Sequence, residues 1–361
     1  MGGAHSIGIV GLGVISRAYL DTLAGVDGIR ITAVADLDAS RAEAVAAGIE
    51  GCRPLATGEL TADPGVDTVL NLTIPAAHAE VALAAIRGGK DVFGEKPLAA
   101  TFAEAREVVD AAARADVRVG CAPDTVLGTG VQTARRAVDE GLIGAPVGAT
   151  ATWVSPGHEH WHPQPDFYYR AGGGPLLDMG PYYLTSLVQL LGPIVAVSGA
   201  ASRAHATREI GSGARAGERV PVEVDTHIAG VLEHANGAIS TVTMSFDGVA
   251  TSARPLEIYG TEGALVLPDP NHHAGEVALR RRDGDAWDAL APSAGYEEAA
   301  RGVGLLDFVA GHDRVGGAMA LHVLEVMESL HAAATTRTRQ ELTTSVERPS
   351  LVPLTPASAW R

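Results

Sequence analysis

Lysine and cysteine are scarce in this chain. Its 361 residues include 27 lysines and arginines, of which only two are lysines, Lys90 and Lys96. A position that keeps lysine against such a bias favours a compact ammonium over a planar guanidinium. The two cysteines, Cys52 and Cys121, lie far apart and lack the spacing of metal ligands. Sparse cysteine favours a reducing, cytoplasmic compartment.

Net positive charge and long apolar runs are also missing. The formal net charge is −16 at pH 7, which argues against nucleic acid and anionic membranes as partners. No apolar run reaches the roughly 20 residues that a membrane span needs. The chain is 46% hydrophobic and 19% charged, as globular proteins are, and its length predicts two domains.

The first third of the chain alternates short apolar strands with helices. The predicted strands are 6–10, 29–35, 66–72, 91–93 and 117–121, and the predicted helices begin near residues 16, 40, 75 and 101. Strands that read as apolar runs, without period-two alternation, are typical of a parallel sheet covered on both faces. We therefore predict a doubly wound α/β Rossmann domain over residues 1–123.

The pattern changes to α+β after residue 123. Predicted strands span 147–154, 194–201, 222–234, 237–246, 254–260 and 275–281, with helices at about 130–140, 176–191 and 318–334. Asn236-Gly237 separates two of these strands and predicts a hairpin turn. We expect a second domain over 124–345 with a large, mostly antiparallel open sheet. Residues 346–361 hold several prolines without periodicity and predict an extended C-terminal tail.

A glycine-rich turn joins the first strand to the first helix. It supplies the predicted cofactor contacts Gly11, Leu12, Gly13, Val14 and Ile15. Gly11 permits the tight turn, Gly13 lets a pyrophosphate approach the backbone, and the helix N-terminus offers free N–H groups. Asp36 ends the second strand, where a carboxylate would accept hydrogen bonds from a ribose diol and repel a 2′-phosphate. NAD is predicted over NADP, although Arg41 stands nearby.

Ligands of a doubly wound sheet bind at the carboxyl ends of its strands. Asp36, Thr73 and the segment Glu95-Lys96-Pro97 fall at such ends, so Lys96 is expected beside the nicotinamide. His78, in the helix after Thr73, is predicted to be structural or near the cofactor. Lys90 lies at the opposite end of its strand and is predicted to be a solvated surface residue.

Four segments stand in a characteristic order, namely Gly11-Leu12-Gly13, Thr73 to His78, Val92 to Pro97, and Gly172 to Gly180. In this order they resemble the glucose-fructose oxidoreductase, inositol dehydrogenase and rhizopine-catabolism (Gfo/Idh/MocA) family. The resemblance implies a Rossmann domain followed by a domain whose open sheet often forms oligomers, here a homodimer or homotetramer. It also implies a nicotinamide cofactor, a small sugar or polyol substrate, and a cis Lys96–Pro97 peptide bond.

The chain departs from the family pattern Asp-x-Gly-x-His-x-x-Asp, in which the His is the acid/base. Asp178 is present, but Tyr182 and Thr185 stand in the His and second Asp places. On a helix these residues form one polar stripe with Gln189. Pro181 predicts that the helix begins here, with the proline in its first turn. Asp178 is then either catalytic or a plain N-cap, and Tyr182 either catalytic or a core aromatic.

The source of the proton acceptor stays open in the sequence. A phenol with a pKa of about 10 is a poor base at pH 7 unless a cation lowers that pKa, as Lys96 could. Otherwise Lys96 or a histidine carries the proton directly. The predicted substrate-binding residues are Lys96, Asp178, Tyr182, Asp124, His158, His160, Trp161 and His162. Glu159, among these histidines, also suits the hydroxyls of a sugar. In an extended chain the three histidines would share one face, so a metal site is the less favoured alternative.

Three functions are compatible with these residues. The preferred hypothesis is an NAD-dependent dehydrogenase acting on a secondary alcohol of a sugar, glycoside or cyclitol, with Lys96 assisting proton transfer and Asp178 and Tyr182 tuning it. One alternative is a glycoside hydrolase or lyase that recycles NAD through a transient keto-sugar. The other is a non-enzymic NAD-binding regulator on the same fold, which would not need to keep Lys96.

Overall fold

The computed structural model describes residues 4–361 and divides the chain into two compact units. The first unit comprises residues 4–128, Tyr296–Leu324 and Leu354–Arg361. The second comprises Thr129–Gly295 and Glu325–Pro353. Between residues 4 and 361, no helix is both long and apolar enough to cross a membrane.

A parallel sheet organises the first unit. Its strands are β1 (His5–Val10), β2 (Ile29–Ala35), β3 (Arg53–Pro54), β4 (Thr68–Asn71), β5 (Asp91–Gly94) and β6 (Val119–Cys121). Within the described part of the chain they form one six-stranded sheet in the order β3-β2-β1-β4-β5-β6, with every pair parallel. The order reverses at β1, which is the Rossmann arrangement. The predicted fold class is confirmed for this half.

Helices cross over between these strands. They are α1 (Ser16–Leu23), α2 (Ala39–Ala47), α3 (Thr57–Ala62), α4 (Pro75–Arg87) and α5 (Phe102–Ala115). Pro75 occupies the first position of α4, where a missing N–H leaves no bond unmade. Thr101 and Glu104 form a capping box at the start of α5, so the short-range signals placed these two helices correctly. The strand β3 and the one-and-a-half-turn helix α3 were not predicted, because both are too short to show a period.

The second unit is built on a mixed sheet. Its helices are α6 (Thr129–Asp139) and α7 (Pro175–Leu191). Its strands are β7 (Pro146–Val154), β8 (Ile194–Ser202), β9 (Thr207–Glu209), β10 (Arg219–Pro221), β11 (His227–His234), β12 (Ile239–Ser245), β13 (Leu256–Gly260), β14 (Gly263–Leu267), β15 (Val277–Arg281), β16 (Asp288–Leu290) and β17 (Gln340–Glu341).

Nine of these strands form one sheet in the order β16-β15-β14-β13-β7-β12-β11-β8-β17 within the described range. The β7/β12 pair is parallel and its neighbours are antiparallel, so the prediction of a large, mostly antiparallel sheet is confirmed. The hairpin turn at Asn236-Gly237 is also confirmed. Gly237 has a φ of +88°, and Glu233 pairs with Ile239 across the turn.

Two segments from the end of the chain return to the first unit. The helix α8 (Val303–Val309) packs Phe308 against Phe93 of β5, with ring centroids 5.8 Å apart. The helix α9 (Gly317–Thr336) follows it, and only its residues up to Leu324 belong to the first unit. The segment predicted as an extended tail includes an isolated bridge between Tyr296 and Thr355 and a short 3₁₀ helix over Ala357–Ala359.

Two predictions about single residues are wrong. Pro181 does not mark the first turn of its helix, because α7 begins at Pro175 and continues through Pro181 to Leu191. The helix tolerates one missing backbone donor in its interior. Lys90 is not a solvated surface residue, since it keeps only 8% of its accessible surface. Asp67, Asp91 and Asp116 line the same surface depression.

Candidate active site

The glycine turn of the first unit has the shape that a dinucleotide needs. Gly11 has a φ of +93°, and a Cβ there would lie 2.7 Å from the backbone of Leu72 and Thr73. Side chains are therefore excluded at Gly11 by conformation and by space. A Cβ on Gly13 would meet no atom within 4 Å, so open space faces this glycine. The residue after it, Val14, is fully exposed.

Asp36 is fixed at the carboxyl end of β2 by the turn itself. Its Oδ2 accepts the N–H of Leu12 at 2.8 Å, and its Oδ1 accepts the N–H of Asp38 at 2.9 Å. Arg41 reaches Oδ1 with its Nη1 at 3.2 Å. The Arg41 guanidinium, which stood against NAD in the sequence, thus pairs with the Asp36 carboxylate. The turn, the open space at Gly13 and the held carboxylate together fit an NAD molecule.

The chain around Lys96 is held by a network of hydrogen bonds at the end of β5. The carboxylate of Glu95 accepts the Tyr19 hydroxyl at 2.9 Å and the Lys96 N–H at 3.1 Å. Burial raises the pKa of the Tyr19 phenol well above its usual range, and the nearby Glu95 carboxylate adds to this effect, so Tyr19 donates. The Lys96–Pro97 peptide bond is cis, as the resemblance implied.

His78 joins this segment to the end of β4. Its Nδ1 lies 2.6 Å from the carbonyl of Pro97, and its Nε2 lies 3.0 Å from the carbonyl of Thr73. Asn71 binds the His78 carbonyl and the Thr73 hydroxyl, at 3.0 and 2.6 Å. Burial lowers the pKa of the His78 imidazole. His78 thus acts as a structural link between two predicted cofactor-binding segments.

Asp124 lies in the first unit but is fully buried. Its Oδ2 accepts the N–H groups of Gly302 and Gly304 at 2.7 and 3.1 Å, at the start of α8. Arg301 lies 3.8 Å from the other carboxylate oxygen. These contacts fit a role in holding α8 rather than contact with a substrate.

In the second unit, α7 carries Asp178 and Tyr182 one turn apart. Gly174 is the N-cap residue, and Asp178 lies inside the first turn, so the reading of Asp178 as a plain N-cap is wrong. Tyr182 is 6% exposed. Further along the stripe, Gln189 accepts a hydrogen bond from Gln132 at 2.9 Å. The predicted polar stripe is therefore present on α7, but Gln189 at its C-terminal end is engaged in a contact with another helix.

The histidine-rich segment turns instead of extending. The N–H groups of Trp161 and His162 both point to the carbonyl of His158, at 3.2 and 2.8 Å. The three histidines therefore do not share the face that a metal would need. Among residues 4–361, no cluster of three or more His, Cys, Asp or Glu side chains is arranged to hold a metal ion.

The side chains of this segment have separate environments. His158 donates from Nε2 to Oδ2 of Asp178 at 2.9 Å. The His160 and Trp161 side chains are exposed, the latter at 59%. His162 is half-buried, which lowers its pKa, and its Nδ1 accepts the Gln164 N–H at 3.1 Å. His158 is thus the histidine that the structure brings to a predicted catalytic residue.

A buried ion network lies behind the segment and was missed in the sequence. Arg208 binds Glu159 at 2.9 Å and also binds Asp247, and Tyr169 donates its hydroxyl to Glu159. Glu159, which reads as a sugar ligand in the sequence, has a side chain only 3% exposed and is structural. No spacing rule links residues 159, 208 and 247, so a single sequence carries no signal for this network.

The first unit has the fold and turn of an NAD-binding oxidoreductase, and comparison with known proteins gives its family. The pattern of the oxidoreductase family with an NAD-binding Rossmann fold matches residues 5–122, and that of the GFO/IDH/MocA C-terminal domain matches residues 131–266. The chain belongs to the Gfo/Idh/MocA family. It is an NAD-binding oxidoreductase of a family that includes sugar and cyclitol dehydrogenases.

Relatives with known activities cover most of the chain. A 1,5-anhydro-D-fructose reductase from Ensifer adhaerens is 30% identical over 301 residues, or 81% of this chain and 85% of the relative. A myo-inositol 2-dehydrogenase from Thermotoga maritima is 28% identical over 281 residues, or 77% and 79%. The solved structure of a levoglucosan dehydrogenase with NADH superimposes with a TM-score of 0.78 at 20% identity, covering 94% of this chain and 99% of the other. The last likeness is one of fold.

Proposed function

We propose that this protein is an NAD-dependent dehydrogenase that oxidises a secondary alcohol of a sugar, glycoside or cyclitol. The observation that carries the proposal is the place of Lys96, which follows β5 at the carboxyl edge of a nucleotide-binding sheet and whose backbone N–H is bound by the Glu95 carboxylate. Bound NAD would supply the hydride acceptor. The relatives named as acting on anhydrofructose and myo-inositol support a polyhydroxylated substrate.

Lys96 has the proton-handling role in this proposal. Its neutral amine accepts the proton of the reacting hydroxyl, and the ammonium that forms donates a hydrogen bond to the product oxygen. Asp178 and Tyr182, one turn apart on α7, orient and tune that transfer. Proton transfer by positioned groups contributes a factor of about 10² to 10⁴ in rate. Since a phenol is a weak base, Tyr182 acts as a hydrogen-bonding partner and not as the proton acceptor.

Substrate recognition is proposed for the histidine-rich segment of the second unit. Trp161 exposes 59% of its surface and can cover the apolar face of a sugar ring. His160 and His162 supply polar groups for hydroxyls. Asp124 drops out of this proposed set because its carboxylate holds the start of α8.

We propose that the protein is a cytoplasmic homodimer or homotetramer that uses NAD in preference to NADP. The free thiols of Cys52 and Cys121 support the compartment. Exposed Val231 and Ile239 lie on one face of the nine-stranded sheet, since Val231 pairs with Thr241, and an apolar sheet face supports self-association. The carboxylate of Asp36 supports NAD.

The test is an NAD⁺-reduction screen over sugars, glycosides and inositols, followed at 340 nm. Lys96→Met should lower turnover of the best substrate by at least about 10²-fold while NAD still binds. Lys90→Met is the matched control, because it removes the other lysine, which lies at the amino-terminal end of β5. Full turnover by Lys96→Met contradicts the assignment. Release of an aryl aglycone without net NADH would favour the NAD-recycling hydrolase, and NAD-dependent capture of a partner without turnover would favour the regulator.

A further inference from the structure

The family's catalytic helix carries its histidine four residues after the aspartate, and this chain has Tyr182 there. The structure nevertheless supplies Asp178 with an imidazole. It comes from His158, twenty residues earlier, whose Nε2 lies 2.9 Å from Oδ2 of Asp178. Both residues belong to the second unit, so the contact lies inside one compact body.

The hydrogen bond fixes the tautomer of His158. A carboxylate only accepts, so Nε2 carries the proton and the neutral ring has its lone pair on Nδ1. In the described part of the chain, Nδ1 is buried and has no hydrogen-bond partner. Asp178 is therefore the polar partner of this ring within residues 4–361. Because buried polar groups are normally kept only where they are bonded, the contact with Asp178 accounts for an imidazole at this position.

The environment of the ring holds it in place. The rings of Trp153, Trp161, Tyr168 and Phe246 surround His158, with centroid distances of 4.4 to 5.8 Å. The backbone N–H of His158 donates to the Tyr169 hydroxyl at 3.3 Å. The His158 side chain keeps 11% of its accessible surface, whereas the Asp178 side chain keeps 19%. The imidazole is thus anchored from behind, and the carboxylate is the more accessible member of the pair.

We propose that His158 is a positioning residue for Asp178 and supplies from a turn the imidazole that α7 lacks. The inference rests on the proposed function, because Asp178 is assigned there to the reaction. By donating to one carboxylate oxygen, His158 holds Asp178 in a single orientation. The alternative is that His158 is simply one more ring of an aromatic cluster, in which case an apolar residue would serve as well.

The decisive experiment compares two substitutions of His158, one that keeps a hydrogen-bond donor to Asp178 and one that removes it. His158→Gln keeps an N–H that can reach Asp178, and His158→Leu keeps bulk without it. We expect kcat to fall 10- to 100-fold in His158→Leu, with KM changed less than threefold, and at least a tenfold recovery of that loss in His158→Gln. In an Asp178→Asn background, the change from His to Leu should have no further effect on kcat. His205→Leu, an exposed histidine of the same unit, is the control.

A measurement on the unmodified ring covers the case in which His158→Leu does not fold. In a ¹⁵N-histidine spectrum, assigned by the signal lost in His158→Gln, the ring should be the Nε2–H tautomer and should change in Asp178→Asn. An Nδ1–H tautomer overturns the inference, as does equal turnover by His158→Leu and His158→Gln. These results leave the wild-type enzyme active. A wild type inactive on every polyol would instead overturn the proposed function, and this inference with it.

Discussion

Replacing Arg208 by Met is expected to destabilise the second unit strongly. The Arg208 side chain is 8% exposed, and it binds Glu159 and Asp247, whose side chains are 3% and 11% exposed. It also donates to the carbonyls of Pro156 and Phe246, each at 3.0 Å. The substitution therefore leaves two buried carboxylates and two carbonyls without their cation. Breaking a buried ion pair from one side costs about 3–5 kcal/mol.

The expected loss of stability corresponds to a decrease in the melting temperature. The second unit holds about 200 residues, and for that size 1 kcal/mol shifts the midpoint by about 2–4 °C. Arg208→Met should therefore melt about 6–20 °C below the wild type. Adding Glu159→Gln removes one of the stranded charges, so the double variant should lose less stability than the two single losses added together.

Thermal unfolding followed by tryptophan fluorescence measures this decrease, since Trp153 lies within the aromatic cluster close to the network. Arg282→Met is the matched control. It breaks the ion pair between Arg282 and Glu262, whose side chains are 67% and 57% exposed. Such exposed pairs contribute at most about 1 kcal/mol. A loss in Arg208→Met no larger than in Arg282→Met, or strict additivity with Glu159→Gln, would refute the reasoning.

Two further predictions concern the cofactor and the pH dependence of stability. Asp36→Asn should weaken NADH binding by about 10- to 100-fold, because a charged hydrogen-bond acceptor contributes about 1.5–3 kcal/mol. The ratio of the affinity for NADH to that for NADPH should also fall, because the carboxylate that repels a 2′-phosphate is lost. Fluorescence titration with both cofactors checks this, and an unchanged affinity ratio contradicts it. Burial lowers the pKa of His234, so the fold favours its neutral ring and stability should fall as pH drops below about 6.5. When the pH is lowered from 7.5 to 5, the free energy of unfolding should fall less in His234→Gln than in the wild type. An equal fall in both proteins would contradict this prediction.

The nucleotide-binding half was predictable because its chemistry is local. A strand, a glycine turn and a helix follow one another directly, and Asp36 comes at the end of the very next strand. The same holds for the capping box at Thr101 and the turn at Gly237, where one or two residues select the conformation. Such signals need no knowledge of the rest of the chain.

The parts that were missed depend on contacts between distant segments. Glu159 stands among histidines and reads as a ligand, yet its partner Arg208 lies 49 residues away. Lys90 reads as a surface residue because two of the acidic side chains around its depression, Asp67 and Asp116, come from distant parts of the sequence. Pro181 reads as a helix start because a lone sequence cannot show that tertiary packing carries α7 past a proline. In each case the surroundings, rather than the residue, decide the outcome.

The path of the chain between the two units has a consequence for biosynthesis. Asp124 completes the first unit by binding Gly302 and Gly304, which are 178 and 180 residues further along. On the ribosome, the nucleotide-binding sheet is therefore made long before the helix that Asp124 holds, and the whole sheet of β7 to β16 is synthesised in between. Contacts this distant in sequence slow folding. The nucleotide-binding unit therefore cannot complete its fold until Gly302 and Gly304 have been synthesised. A chain cut after residue 295 would leave the buried Asp124 carboxylate without those two backbone donors.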